Sequence, residues 1–83
     1  MKIKKKFEYE GIELRIVERE EAYMNGDQPV TITRVLAPNG GVIPVKIRHR
    51  QTLKSIAEET IQALDNFKRM GADVKAELLN PIK

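Results

Sequence analysis

Apolar and polar residues alternate with period two over two stretches of the first half of the chain. Ile3, Phe7 and Tyr9 are interleaved with Lys2, Lys4, Lys6 and Glu8. After Glu10-Gly11, Ile12, Leu14 and Ile16 are interleaved with Glu13 and Arg15. Such alternation predicts half-buried strands. Gly11 supplies the positive φ of a two-residue hairpin turn. A tight turn at Glu10-Gly11 pairs Tyr9 with Ile12 and Phe7 with Leu14 on one apolar face. It sets Lys6 opposite Arg15 and Glu8 opposite Glu13, like-charge pairs that the diagonal neighbours Lys6–Glu13 and Glu8–Arg15 offset.

A second hairpin is predicted further on. Val30, Ile32 and Leu36 share one parity, Pro38-Asn39-Gly40-Gly41 follows, and Ile43, Val45 and Ile47 come next. Asn-Gly between alternating strands signals a type I′ turn. Centred on Asn39-Gly40, it pairs Leu36 with Ile43 and Ile32 with Ile47. Arg34 then falls opposite Val45 on the apolar face, a misfit that a snorkelling side chain relieves. Pro44 has no N–H to give a further neighbour, so the 42–48 strand is a sheet edge or is interrupted there. Between the hairpins runs an acidic link from Glu18 to Gln28, with Glu20, Glu21 and the turn signal Asn25-Gly26. Continuous pairing about Asn25-Gly26 would match Ile16 with Val35 and Leu14 with Ala37. That opposes the two apolar parities, so a bulge or longer loop is expected to shift the register.

The period then changes. Leu53, Ile56, Ala57, Thr60, Ile61, Leu64 and Phe67 follow helical spacing. Thr52 suits the N-cap, Ser55 to Glu58 offers a capping box one turn later, Lys68 and Arg69 suit the C-terminal dipole, and Gly71 suits the position after the C-cap. This predicts a helix of about 19 residues, roughly 28 Å long at 1.5 Å per residue. Ala72, Val74, Ala76 and Leu78 alternate again and read as a fifth strand, although the same residues are good helix formers and a short second helix competes. The expected class is α+β: an antiparallel four-stranded meander of two hairpins packed on one long C-terminal amphipathic helix, ββββα(β).

At 83 residues the chain is expected to be a single domain spanning 1–83. A domain this small buries only roughly 60–65% of its unfolded surface. Its core is thin, and a partner or a second copy can add burial. With no cysteine, disulfides, thiolate metal sites and a thiol nucleophile are excluded. The lysines near Met1 lead into a strand pattern rather than an apolar signal region, and no apolar run approaches the ~18 residues of a membrane span. Cytoplasmic location and no membrane partner are the expectation.

Catalytic chemistry finds little support. His49 is the one histidine and Ser55 the one serine. Neither has a recognisable partner motif. Glu18, Glu20, Glu21, Glu58 and Glu59 follow no metal-loop spacing, Asn25-Gly26-Asp27 is a turn rather than a calcium loop, and Gly40-Gly41 does not sit between a strand and a helix as a phosphate loop would. The expectation is a chain that is not an enzyme and takes no cofactor or metal.

Net charge is +3, and residues 1–50 hold ten Lys/Arg against seven Asp/Glu while the helix and tail are balanced. With the apolar face against the helix, the outward face is expected to carry Lys2, Lys4, Lys6 and Arg15 on the first hairpin, and Thr31, Thr33, Lys46, Arg48 and Arg50 on or beside the second. Those cations are the candidate polyanion- or partner-binding residues. Phe7 and Tyr9 have core parity, so the face offers no stacking platform for bases. Lysines on outer strands also serve to keep a sheet solvated and its edges unpaired. The hairpin from Lys6 to Glu13 resembles in rhythm the opening hairpin of small archaeal chromatin proteins with an SH3-like barrel. Those proteins read DNA with a tryptophan-bearing strand, this chain has no tryptophan, and no family is assigned. The leading expectation is a non-catalytic interaction module, a small regulator or inhibitor that binds another protein and forms a homo-oligomer. A nucleic-acid-binding accessory protein using the basic sheet face is the alternative.

Overall fold

The computed structural model describes residues 2–21 and 30–81. β1 (Lys2–Tyr9) and β2 (Ile12–Glu21) form the first hairpin in the predicted register, with Tyr9 opposite Ile12, Phe7 opposite Leu14, Lys6 opposite Arg15 and Glu8 opposite Glu13. Glu10 (φ 48°) and Gly11 (φ 81°) both lie in the left-handed region that a type I′ turn demands. Glu10 is held there by Lys68, whose Nζ donates to Glu10 Oε1 over 2.6 Å. This bond keeps the Glu10 carboxyl below, and the Lys68 ammonium above, its ordinary value. Towards the start of β1 the register shifts: Ile3 faces Val17 and Lys5 faces Ile16. The extra residue turns Ile3 away from the face of Phe7 and Tyr9, with which the alternation had grouped it.

The sheet has three strands, in the order β1-β2-β3, rather than the four expected. β3 (Val30–Leu36) pairs with β2 without interruption from Arg15–Leu36 to Glu21–Val30. Glu18, Glu20 and Glu21, expected in an irregular link, are therefore part of β2; Asn25-Gly26 lies outside the described residues. Ile16 faces Val35, the pairing that sequence parity argued against. The conflict disappears because β3 uses its other parity. Val35 (0% exposed) and Ala37 join the core, while Ile32, Arg34 and Leu36 face away from it.

The second turn explains the inversion. Gly40 N–H donates to Ala37 O and Ala37 N–H to Gly41 O, each over 2.9 Å, and Gly40 (φ 86°) has a positive φ where Asn39 does not. This is a three-residue loop, Pro38 preset for the second position of a type I turn and Gly40 forming the bulge after it. It is one residue longer than the turn that Asn39-Gly40 suggested. Leu36 consequently meets Val42 instead of Ile43, and Ile43 N–H reaches Val35 O over 2.9 Å. Pro44 has no N–H, and Val45 N–H turns back to Ile43 O over 2.8 Å. The fourth strand ends after this one bridge. The chain crosses to the helix layer, where Val45 and Ile47 pack on the core and Arg48 bonds Glu59.

α1 (Leu53–Arg69) has 17 residues, the predicted helix less its caps Thr52 and Met70. Thr52 Oγ1 accepts from Ser55 N–H over 3.1 Å, and Gly71 (φ 93°) closes the other end. Ile56, Ala57, Thr60 and Leu64 are buried, and Thr60 Oγ1 satisfies itself on Ile56 O over 2.7 Å. α1 lies chiefly over β1 and β2. The expected fifth strand is instead a helix, α2 (Val74–Leu79). Val74 and Leu78, four residues apart, bury together. Asp73 caps the first turn by accepting from Ala76 N–H over 3.2 Å, and Asn39 Nδ2 donates to the carbonyls of Glu77 and Asn80 at the other end. Among the described residues no helix is long and apolar enough to cross a membrane.

Tyr9 joins helix to sheet. It is 4% exposed, and its hydroxyl donates to Asp65 Oδ1 over 2.8 Å. Burial, reinforced by the Asp65 carboxylate, pushes the phenol from 10.0 up to about 12. A phenol raised in the folded state stabilises the fold fully below pH 10.0, and loses that contribution as pH rises through about 12. In a Tyr23→Phe variant, which leaves Tyr9 as the one tyrosine, phenolate absorbance is expected to rise near pH 12. A midpoint near 10.0 with the fold intact would contradict this anchoring.

Candidate interaction surface

α1 covers one face of the sheet; the other face is assembled from cross-strand rows. Directly opposed residues share a face. Counting away from the Glu10-Gly11 turn, the rows are Glu8–Glu13, then Lys6–Arg15–Leu36 with Val42 beyond, then Ile3–Val17–Arg34, then Arg19–Ile32, and last Glu21–Val30. Val17 is 3% exposed although the buried residues of α1 and α2 pack with the opposite face. Ile3 and Arg34 are its cross-strand neighbours. Ile32, Arg34 and Leu36 are half-buried, whereas Ile3 is 46% exposed and Val42 57% exposed. An apolar strip of Ile3, Val17, Ile32 and Leu36 is thus interleaved with Lys6, Arg15, Arg19 and Arg34.

The charges on this face are partly paired. Arg15 lies 3.4 Å from Glu13, and Arg34 lies 3.4 Å from Glu21. Such half-exposed pairs are weak, about 0–1 kcal/mol each, but they fix where the guanidinium groups rest. Among the described residues Lys6 and Arg19 form no ion pair.

Of the cations expected on the outward face, the structure places Lys6 and Arg15 there, side by side across β1 and β2. Lys2 faces Glu18 on the helix side of the sheet, and Lys4 sits at the bulge, 3.9 Å from Glu18. Lys46, Arg48 and Arg50 lie outside the strands, because Pro44 ends the pairing before them. Arg48 bonds Glu59 through both terminal nitrogens, each over 3.2 Å. Arg50 occupies a turn at φ 60° beside the exposed His49. Thr31 and Thr33, expected on the outward face, share the helix-side rows of Glu20 and Glu18.

Sequence reasoning missed Ile3, Arg19, Ile32, Arg34 and Leu36, and the buried Val17 among them, as residues of this face. One signal was available. Arg34 fitted badly in the apolar row assigned to it, and the misfit marked an inverted parity.

A concavity of about 280 Å³ lies between the Pro38–Gly40 turn, the end of α1, and α2. Ile43, Leu64, Phe67, Val74 and Leu78 line it. Asn39 stands at its rim, but its side chain already serves the α2 carbonyls and Gly41 N–H. Among the described residues no cluster of three or more His, Asp or Glu side chains is arranged to hold a metal. No protein-family model, curated protein or solved structure matches the chain.

Proposed function

We propose that the chain is a non-catalytic interaction module, a small cytoplasmic regulator or inhibitor that binds another protein across the uncovered face of its sheet and associates with itself. One observation carries this reading: on that face exposed Ile3 and half-buried Ile32 and Leu36 surround the buried Val17, framed by arginine and lysine. Protein interfaces combine such an apolar centre with arginine and a polar rim. A nucleic-acid surface would be served better by unopposed cations, yet Glu8, Glu13 and Glu21 share the face with Lys6, Arg15, Arg19 and Arg34. Nor does any aromatic ring among the described residues stand on that face to stack a base: Phe7 and Tyr9 point to the helix.

Affinity capture from the native cell, with and without nuclease, tests this. Wild-type chain and Lys54→Glu, which alters the exposed side of α1, are expected to retain the same protein after nuclease treatment. Arg15→Glu and Leu36→Glu are expected to lose it. Capture that disappears with nuclease would favour the nucleic-acid reading instead. Capture indifferent to Arg15 and Leu36 would remove the face from consideration.

A further inference from the structure

β2 borders β3 on one side; the other side is largely open. Beyond the Leu36–Val42 bridge and the bonds flanking it, no backbone group among the described residues pairs with the outer edge of residues 30–34. In an antiparallel ladder the N–H and C=O of one residue point the same way, and the direction alternates along the strand. Val35 O accepts from Ile43 and Ala37 N–H donates to Gly41, so both residues bond outward. By alternation Thr31 and Thr33 also direct their N–H and C=O outward, with no partner among the described residues.

The two edges of the sheet differ in kind. β1 carries Lys2, Lys4, Lys5 and Lys6 and a register shift, all devices that discourage further pairing. The outer edge of β3 has none of them. Val30-Thr31-Ile32-Thr33-Arg34 holds no lysine, no proline and no bulge, and four of its five residues are β-branched.

We propose that two copies of the chain join along this edge, β3 antiparallel to β3 about a two-fold axis at Ile32, fusing their sheets into one. This specifies the self-association named in the proposed function and rests on that part of it. About a two-fold axis residue i of one copy meets residue j of the other and the reverse, as an isologous contact requires. With the axis at Ile32, Thr31 lies opposite Thr33 of the second copy. Both direct their groups outward, so each pair exchanges its N–H···O=C bonds. The two Ile32 residues then form the close, non-hydrogen-bonded pair between them. Val30 lies opposite Arg34 of the second copy. Since Val30 is flanked by Glu21, that Arg34 comes into the row of the carboxylate with which Arg34 already pairs at 3.4 Å within one chain. An axis at Thr33 fails, because it would set Thr31 against Val35, whose outward carbonyl is taken by Ile43. The fit of hydrogen bonds and charge is thus a fit of the strand to itself.

Sedimentation equilibrium and cysteine cross-linking test this on the full chain. Wild type is expected to sediment with the mass of two chains across the micromolar range. Ile32→Lys, which brings two ammonium groups together at the axis, is expected to lose the dimer and fall to the mass of one chain. The chain has no cysteine, so Ile32→Cys supplies one thiol per copy, with β-carbons about 4.5–5.5 Å apart across the axis. Under mild oxidation it is expected to cross-link far faster than Leu79→Cys, an exposed site on α2. Should Ile32→Lys fail to fold, the cysteine arm decides. A wild-type mass of one chain overturns the proposal. So does a dimer that survives Ile32→Lys, or one that links at position 32 no faster than at 79. A one-chain mass with capture still abolished by Leu36→Glu would sink the edge and spare the partner face; a dimer with capture indifferent to Leu36 would do the reverse.

Discussion

Leu14→Ala is expected to lower the free energy of unfolding by about 2–5 kcal/mol. Leu14 is fully buried on the central strand, opposite Phe7 and in the cluster that includes Ile16, Val35 and Ile56. Truncation removes its transfer energy and leaves a cavity that strands on both sides cannot easily close. At roughly 0.05–0.15 kcal/mol per residue, a domain of this length has about 4–12 kcal/mol in total. One substitution therefore takes a large share. Urea denaturation should show a lower midpoint with an unchanged slope. The same truncation at Ile3, which is 46% exposed, should move the midpoint far less. A drop at Leu14 no larger than at Ile3 would contradict the placement of the core.

Val35→Asp is expected to unfold the chain, while Ile32→Asp is expected to leave it folded. Val35 is 0% exposed, and Ile16 lies directly opposite it, so a carboxylate there meets no cation across the β2–β3 ladder. An uncompensated buried charge costs about 3–5 kcal/mol, comparable with the whole stability of a small domain. Ile32 lies on the uncovered face beside Arg19, so an aspartate there stays hydrated and gains an opposite charge. Far-UV circular dichroism of the two variants distinguishes the parities. The opposite result, with Ile32→Asp unfolded and Val35→Asp folded, would return Val30, Ile32 and Leu36 to the core.

Which parts were legible follows from how local their causes are. The first hairpin is set by a two-residue turn between strands that each have one apolar parity, so its register could be read directly. α1 is set by a regular stripe with Thr52 and Gly71 at its ends. β3 is different: Val30, Ile32 and Leu36 argue for one parity, Val35 and Ala37 for the other, and a single turn residue decides between them. Asn39-Gly40 suggested the shorter turn; Pro38 made the longer one. In 72–79, Ala72, Val74, Ala76 and Leu78 satisfy a period of two, but Val74 and Leu78 alone satisfy a helix. The helix is closed by Asn39, nearly forty positions earlier in the chain and invisible to a local pattern.

The same distinction runs through the candidate surface. Lys6 and Arg15 were placed correctly because both belong to the first hairpin. Arg34 and Ile32 were not, because their side of the sheet depends on the second turn. Lys46, Arg48 and Arg50 were assigned to a strand that Pro44 stops, although the interruption itself was foreseeable from proline chemistry.

Both the open face and the β3 edge descend from one pairing, Ile16 with Val35. Since Val35 bonds outward to Ile43, it and Ile16 form a non-hydrogen-bonded pair, with Cα atoms about 4.5 Å apart. Proton NMR then offers the most direct test. Strong Hα–Hα contacts are expected between Ile16 and Val35 and between Glu18 and Thr33. Strong contacts from Ile16 to Arg34 or Leu36 in their place would contradict the register, and with it both surfaces.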